Sequence, residues 1–200
     1  MAEFSDRVMA LSAAAWRLRA ASPKPCDLPF ALALFSDAER LPPVEELAAA
    51  LPALEKPLAF IFRHDHLGPE ERIALADSVR RIVQERGHLF KVARAQLEGA
   101  DGHHKLPGAP GLLTMPAHDE DELVAAFAAQ ADAAFLSPIF ATRSHPEAQA
   151  MGRERAVAIA QASPMPLFAL GGMDEEKAAE LEGTPFQGFG AIDAFAGEVS

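Results

Sequence analysis

The chain has one cysteine, no long apolar run and fewer basic than acidic residues, and each of these shortages excludes a class of protein. A lone Cys26 cannot form an internal disulfide, which agrees with a reducing compartment. No apolar run approaches the roughly 18 residues that a membrane-spanning helix needs. The Ala-rich N-terminal stretch is interrupted by Asp6, Arg7, Arg17 and Arg19, so it does not resemble a signal peptide. We therefore expect a cytoplasmic protein that does not bind a membrane.

The charge balance limits the partners that the protein can have. The formal net charge is −11, which disfavours nucleic acids and anionic membranes as ligands. A pocket can still be locally basic inside an acidic shell. An anionic small molecule is therefore the partner that this composition leaves open.

Apolar runs alternate with amphipathic stretches along the chain, which is typical of βα units and a parallel sheet. An apolar face predicts an N-terminal helix over about 4–20. Further helices are predicted over about 43–54, 69–86, 119–129, 153–162 and 174–182. The strands are predicted at 30–35, 58–62, 88–92, 101–105, 111–115, 133–136, 167–170 and 188–192.

Eight βα units are the number that closes a TIM barrel, whose lower size limit is about 200 residues. The segments after the third and fourth strands are too short for full helices. We therefore predict one domain over residues 1–200, a small α/β TIM (β/α)8 barrel over about 28–196 with reduced third and fourth βα units and an N-terminal extra helix. The alternative is an open doubly wound sheet, which requires a glycine-rich first turn. The first turn here, at residues 36–39, has no glycine.

The loops after the sixth and seventh predicted strands have the composition of a phosphate site. Small and polar residues follow Leu136, and the seventh strand ends in Gly171-Gly172. Adjacent glycines allow backbone N–H groups to approach a phosphate closely. The alternative is that these glycines serve only a turn that needs a positive φ.

Basic and imidazole side chains follow several predicted strands, and together they predict a cationic rim suited to an anionic ligand. These residues are Arg63, His64, His66, Lys91, Arg94, His103, His104, Lys105, His118, Arg143 and His145. The alternative is that loops attract polar residues without any binding role. The spacing of His64 and His66 is also compatible with a metal site. A metal-dependent hydrolase is therefore one hypothesis for the function.

The segments resemble, in order, those of the thiamine phosphate synthase and TenI family from about residue 30 to residue 195. The most specific part is 137–142 together with 171–172; the stretches 32–37, 61–65, 100–104, 115–118 and 188–194 are similar as well. The resemblance implies that an aminopyrimidine diphosphate is coupled to a thiazole phosphate, with release of pyrophosphate and with Mg²⁺ as cofactor. It implies a catalytic, pyrophosphate-binding role for Arg63 and thiazole-phosphate contacts at Thr142 and Gly172. The further substrate contacts that it implies are His104, Ser137, His145 and Gly171.

Several positions depart from the family pattern. Ala93 stands where the family has an aspartate that binds magnesium, while His145 and Asp193 replace a lysine and a phosphate-binding serine. The expected magnesium carboxylates are thus not apparent, and Asp37 and Asp65 are the candidate metal ligands that remain. Besides the metal-dependent hydrolase, two functions stay open: a transferase of the thiamine phosphate synthase type, and a non-catalytic or regulatory barrel that binds a phosphorylated metabolite. A homodimer is one expected assembly, since barrels often dimerise.

Overall fold

The computed structural model describes residues 2–141 and 149–196. The strands in these residues form a closed parallel barrel in which each strand pairs with the next and β8 pairs with β1. They are β1 (Leu32–Phe35), β2 (Ala59–Phe62), β3 (Leu89–Ala93), β4 (Gly102–His104), β5 (Leu112–Ala117), β6 (Ala133–Leu136), β7 (Leu167–Ala169) and β8 (Phe186–Ala191). The predicted TIM barrel is confirmed.

Helices cover the outside of the barrel where the connections are long enough. They are α1 (Ala2–Ala20), α2 (Val44–Ala49), α3 (Pro69–Glu85), α4 (Glu120–Ala128), α5 (Arg153–Ala162), α6 (Glu175–Glu180) and α7 (Asp193–Ala196). The largest differences from the predicted bounds are in α2, which ends at Ala49 instead of near Leu54, and in α7, which was not predicted. Pro52 accounts for the first difference, because a proline disfavours helical conformation in the residue before it.

The N-terminal helix takes the place that a helix following β8 would occupy. It packs against β8 and α6. The predicted apolar face is buried, with Val8, Leu11, Ala15 and Leu18 at most 2% exposed. Since α7 has only 4 residues, α1 supplies the cover for β8. Among the described residues, no helix is both long enough and apolar enough to cross a membrane.

The third and fourth βα units are reduced, as predicted. Residues 94–101 join β3 to β4, and residues 105–111 join β4 to β5, without a helix in either connection. The strands approach each other closely there. A Cβ at Gly102 would lie 2.1 Å from the carbonyl oxygen of Leu112, so only glycine fits at this point.

Aromatic side chains fill the inside of the barrel. Phe30 stacks on Phe168 at 5.0 Å between ring centroids, and Phe35 meets Phe135 edge to face at 5.0 Å. All four rings are at most 2% exposed. A packed interior of this kind makes the barrel a scaffold and leaves its carboxyl-terminal end as the place for a site.

Lys91 does not belong to the cationic rim, which corrects the sequence-based prediction. It occupies an inward position of β3 between the outward Phe90 and Val92, and it is fully buried. Its Nζ donates to the carbonyl oxygen of Leu112, the first residue of β5, at 2.7 Å. The side chain therefore extends toward the amino-terminal end of the barrel. Burial lowers the pKa of Lys91 from 10.5 to about 7, although Asp132 and Asp101 oppose the change.

We predict that Lys91→Met stabilises the protein at pH 7 by roughly 2–4 kcal/mol, because each unit of pKa change corresponds to about 1.4 kcal/mol. Between pH 7 and pH 10.5 the unfolded chain carries this proton and the folded chain does not. The free energy of unfolding of the parent protein should therefore rise with pH in this window. The variant should lack that part of the rise, as measured by urea unfolding at several pH values.

The matched control is Lys105→Met, which removes an exposed lysine and should change stability by less than about 0.5 kcal/mol. A Lys91→Met variant that is less stable than the parent at pH 7 would contradict this account.

Candidate functional site at the mouth of the barrel

The carboxyl-terminal ends of the strands surround a cavity of about 1220 Å³. Residues that follow every one of the eight strands contribute to its wall. The sequence-predicted site residues that line this cavity are Asp37, Arg63, Asp65, His104, Ser137, Gly171 and Gly172. Thr142, Arg143 and His145 lie outside the described residues. The barrel thus brings together the predicted site residues that the structure describes, whereas Lys91 and His103 of the predicted cationic rim do not line the cavity.

A chain of ion pairs runs along the mouth from β8 to β2. Arg40 contacts Asp193 at 3.2 Å and Asp37 at 2.6 Å, and Arg63 reaches the same Asp37 oxygen at 3.0 Å. Asp37 also accepts hydrogen bonds at 3.1 Å from the backbone N–H groups of Glu39 and Arg40. Asp193, which stands where a phosphate contact was expected, is therefore paired with a cation.

The pKa values of Asp37 and Arg40 reflect the pairing of these two side chains. Burial acts to raise the pKa of Asp37, but the bonds and charge of Arg40 outweigh it and the pKa is lowered. Burial acts to lower the pKa of Arg40, but Asp37 and Asp193 outweigh it and the pKa is raised. The carboxylate and the guanidinium thus hold each other in the charged form.

Arg63 is anchored on one side and open to the cavity on the other. Its Nε donates to the carbonyl oxygen of Ser36 at 3.1 Å, and its guanidinium lies 5.6 Å from the centroid of Phe35. A third of its side chain, 33%, stays exposed. Burial lowers its pKa, partly opposed by Asp37. An arginine held in this way presents its remaining donors to a ligand with little loss of side-chain entropy.

Asp65 is the centre of a second cluster of charges. It pairs with Arg72 at 2.7 Å and with Arg94 at 2.5 Å. Arg72 also donates to the carbonyl oxygen of Ala93 at 2.5 Å, at the end of β3. Arg72 was not predicted at the site, but one signal was available. It is a charged residue on the buried face of α3, in line with Ala76 and Val79.

The described carboxylates do not fit a magnesium ion. Asp37 and Asp65 each already pair with two arginines, whose charges would repel a cation placed beside them. Ala93, at the expected position of a magnesium aspartate, has no ligating atom in its side chain. Within residues 2–141 and 149–196, no three His, Cys, Asp or Glu side chains are placed to hold a metal.

The predicted pair of imidazoles is present, but its surroundings are not those of a metal centre. The rings of His64 and His66 lie 5.5 Å apart, and Nδ1 of His64 is 3.2 Å from the hydroxyl of Ser36. Burial lowers the pKa of His64, and the neighbouring His66 adds to the effect. The described part of the chain offers these two rings no third ligand.

His103 lies away from the mouth, which corrects its predicted place on the rim. Successive residues of a strand point to opposite faces, so His104 faces the inside and His103 the outside. Nδ1 of His103 donates to the carbonyl oxygen of Pro110 at 2.8 Å. His118 does line the cavity, but it contacts Glu122 at 2.7 Å.

His104 forms part of the floor of the cavity. Its Nδ1 is 3.1 Å from the hydroxyl of Thr114, and its ring meets Phe35 and Phe135 edge to face. Burial lowers its pKa to about 3, and the nearby cations, Arg63 among them, act in the same direction. His104 is therefore neutral at ordinary pH, and it contributes a polar group instead of a positive charge.

The two glycines after β7 allow the loops after β6 and β7 to touch. Gly171 has φ 90° and Gly172 has φ 64°. A Cβ at Gly171 would lie 2.8 Å from Cα of Pro138, and one at Gly172 would lie 2.4 Å from the carbonyl oxygen of Ala141. The need for a positive φ is thus observed, while contact with a phosphate remains a prediction.

Two further arginines, which line the cavity itself, were not predicted either. Arg40 could have been found from its position three residues after Asp37, in a turn that follows a strand. Arg7, which also lines the cavity, belongs to α1. Its place depends on how α1 packs on the barrel, for which the local sequence gives no signal.

We predict that Gly172→Ala destabilises the protein by about 1–3 kcal/mol more than Gly183→Ala does. Both glycines have a positive φ, which costs an alanine roughly 1–2 kcal/mol. Only Gly172 has backbone within 3 Å of the added Cβ, whereas Gly183 has open space. Thermal unfolding of the two variants measures the difference, and equal losses would contradict the observed loop contact.

We predict that Asp37→Asn lowers the free energy of unfolding at pH 7 by roughly 1–3 kcal/mol, because two arginines lose a charged partner. Asparagine can still accept the two backbone hydrogen bonds. The folded pKa of Asp37 lies below 3.8, so its charge stabilises the fold above that pH and less so as the pH falls through the folded pKa. The difference in the free energy of unfolding between parent and variant, measured by urea unfolding, should therefore decrease below about pH 3.8. A difference that increases in acid would contradict the pairing of Asp37 with the two arginines.

Comparisons with known proteins agree with the barrel fold. The family described as thiamine monophosphate synthase (TMP-TENI) matches residues 34–195. Thiamine phosphate pyrophosphorylase from Pyrococcus furiosus is similar in structure, with a TM-score of 0.69, 22% identity, and coverage of 84% of this chain and 88% of that one. A structure described as native KDPGal is similar with a TM-score of 0.53 and 18% identity, covering 84% of each chain. No curated protein matches the chain in sequence. The structures establish the fold alone, while the match over 34–195 shows that this chain belongs to the thiamine monophosphate synthase family.

Proposed function

We propose that the protein binds a phosphorylated heterocycle of thiamine biosynthesis in the mouth of its barrel. The observation that carries this proposal is that Arg63 and the Gly171-Gly172 turn line one and the same cavity. In the family pattern these positions contact a pyrophosphate and a thiazole phosphate. Membership of the family supports the pathway, and the shared cavity supports binding of both groups side by side.

The cavity has properties that suit a flat ring with an anionic tail. Its floor includes the aromatic side chain of Phe35 and the neutral imidazole of His104. Arg63 stands above Phe35, within reach of a negative group. Its volume of about 1220 Å³ lies above the range of small-molecule pockets, which is roughly 300–1,000 Å³. Two small ligands therefore fit together.

The reaction we propose is the condensation of the family. The carbon–oxygen bond between the aminopyrimidine and its diphosphate breaks, and the bonding electrons leave with the diphosphate. The thiazole nitrogen then donates its electron pair to the carbon and forms the new carbon–nitrogen bond. Negative charge grows on the leaving diphosphate, and a fixed guanidinium such as that of Arg63 stabilises that charge without reorganisation.

A non-catalytic or regulatory binder of a phosphorylated metabolite is the second candidate. One observation favours it: Asp37 and Asp65 are engaged by arginines, and Ala93 cannot bind a metal. Incubation of the protein with both substrates and Mg²⁺ separates the candidates. Thiamine phosphate in the product supports the transferase. No product, together with thermal stabilisation by thiazole phosphate, supports the binder.

We predict that Arg63→Ala abolishes the binding of pyrophosphate, measured by titration calorimetry, because it removes the guanidinium at the expected contact. Asp37 keeps Arg40 as its partner, so the mouth should stay folded. The control is Arg81→Ala, which removes an exposed arginine of α3 outside the cavity. An unchanged affinity for pyrophosphate in Arg63→Ala would refute the assignment of the pocket.

A further inference from the structure

Charge is unevenly distributed around the mouth. The wall formed by residues after β7, β8 and β1 carries four carboxylates against one guanidinium, that of Arg40. The carboxylates are those of Asp37, Glu39, Asp174 and Asp193. The wall formed by described residues after β2, β3, β4 and β5 carries a single carboxylate, Asp65. That second wall also carries three cationic side chains, which we call the cationic wall: Arg63, Arg94 and Lys105.

Arg94 and Lys105 are the residues that directly follow β3 and β4. Both have a positive φ, 55° for Arg94 and 59° for Lys105, which side chains other than glycine rarely adopt. The backbone N–H of Arg94 donates to the carbonyl oxygen of His104 at 2.9 Å, and that of Lys105 donates to Thr114 at 2.8 Å. The two residues are therefore fixed at their backbones, while their side chains line the cavity.

The positive charge of this wall is only partly compensated. Arg94 shares Asp65 with the buried Arg72, so two guanidinium groups face one carboxylate. The side chain of Arg94 remains 54% exposed. Lys105 is exposed and has neither an ion pair nor a side-chain hydrogen bond within the described part of the chain. A wall with a net positive charge attracts an anion of multiple charge.

The three charges of the cationic wall all act on His104 in the floor of the cavity. After burial and Lys91, the charges of Arg63, Lys105 and Arg94 are the causes that lower the pKa of His104. All three therefore lie within electrostatic reach of the same imidazole. An anion above His104 is accordingly within reach of three cations on neighbouring strands.

We propose that Arg63, Arg94 and Lys105 bind the diphosphate group of the ligand directly, without a magnesium ion. This rests on the proposed function, namely that the mouth binds a phosphorylated ligand. Guanidinium groups offer paired donors to phosphate oxygens, and a lysine adds a mobile point charge. These three cations replace the metal that the missing carboxylates would have held. A magnesium ion would enter a wall that is already positive, so it offers no gain.

The experiment is titration of the full chain with sodium pyrophosphate, in EDTA and again with excess MgCl₂. We expect binding in EDTA, and an equal or weaker affinity in MgCl₂ because magnesium neutralises the pyrophosphate. The double variant Arg94→Ala/Lys105→Ala should bind pyrophosphate at least about tenfold more weakly, since it loses two charge-assisted contacts. Asp65 retains Arg72 in this variant. Arg81→Ala should bind like the parent.

Two results would overturn the inference: pyrophosphate binding that requires MgCl₂, or a double variant that binds like the parent in EDTA while melting at the parent temperature. A parallel titration with thiazole phosphate separates this failure from that of the proposed function. If thiazole phosphate binds and pyrophosphate fails in EDTA, only the metal-free diphosphate site is wrong. If neither ligand binds under either condition, the proposed function fails as well.

Discussion

The pairing of β8 with β1 is the contact on which the arrangement of the mouth depends. Leu32 lies opposite Phe189, and Leu34 lies opposite Ala191. This closeness requires glycine, because a Cβ at Gly188 would stand 1.9 Å from the carbonyl oxygen of Ala31. Closure places the residues that follow the first and last strands side by side. Asp193 can therefore pair with Arg40, although 153 positions separate them in the chain.

The ion pairs that follow from closure decide what the mouth can do. Carboxylates that could have bound a metal form ion pairs with arginines instead. These ion pairs hold the guanidinium groups in place. The result is a mouth with an acidic side after β7, β8 and β1 and a cationic wall after β2, β3 and β4. Burial beneath this wall keeps His104 neutral. The floor thus stays uncharged while the wall supplies charge, which is the division of roles expected in a site for an anionic ring compound.

The order of the strands and most of the helices could be predicted because apolar runs and amphipathic stretches are local signals. The short length of the connections predicted the reduced third and fourth units. The direction in which a side chain points within a short strand could not be predicted so well. Lys91 and His103 were both expected at the mouth, yet a shift of one residue in a strand exchanges its two faces. Lys91 turned out to be inside the barrel, and His103 outside it.

Pairings between distant segments were harder to predict than strands, because nothing in the neighbouring residues specifies them. Asp37 and Asp65 were read as candidate metal ligands from their positions after strands. Their arginine partners come from the next turn, a neighbouring strand end and the buried face of α3. The same holds for Asp193, which replaces the phosphate-binding serine of the family pattern. Its pairing with Arg40 depends on the closure of the barrel, which no local sequence signal specifies.

A crystal structure of the protein grown with thiazole phosphate and pyrophosphate, in the absence of divalent metals, tests the central claim most directly. The account predicts pyrophosphate density against Arg63, Arg94 and Lys105, above the ring of His104, with Asp37 and Asp65 still paired to their arginines. Density for either ligand outside the mouth, or aspartates that have turned from their arginines to hold a cation, would contradict it.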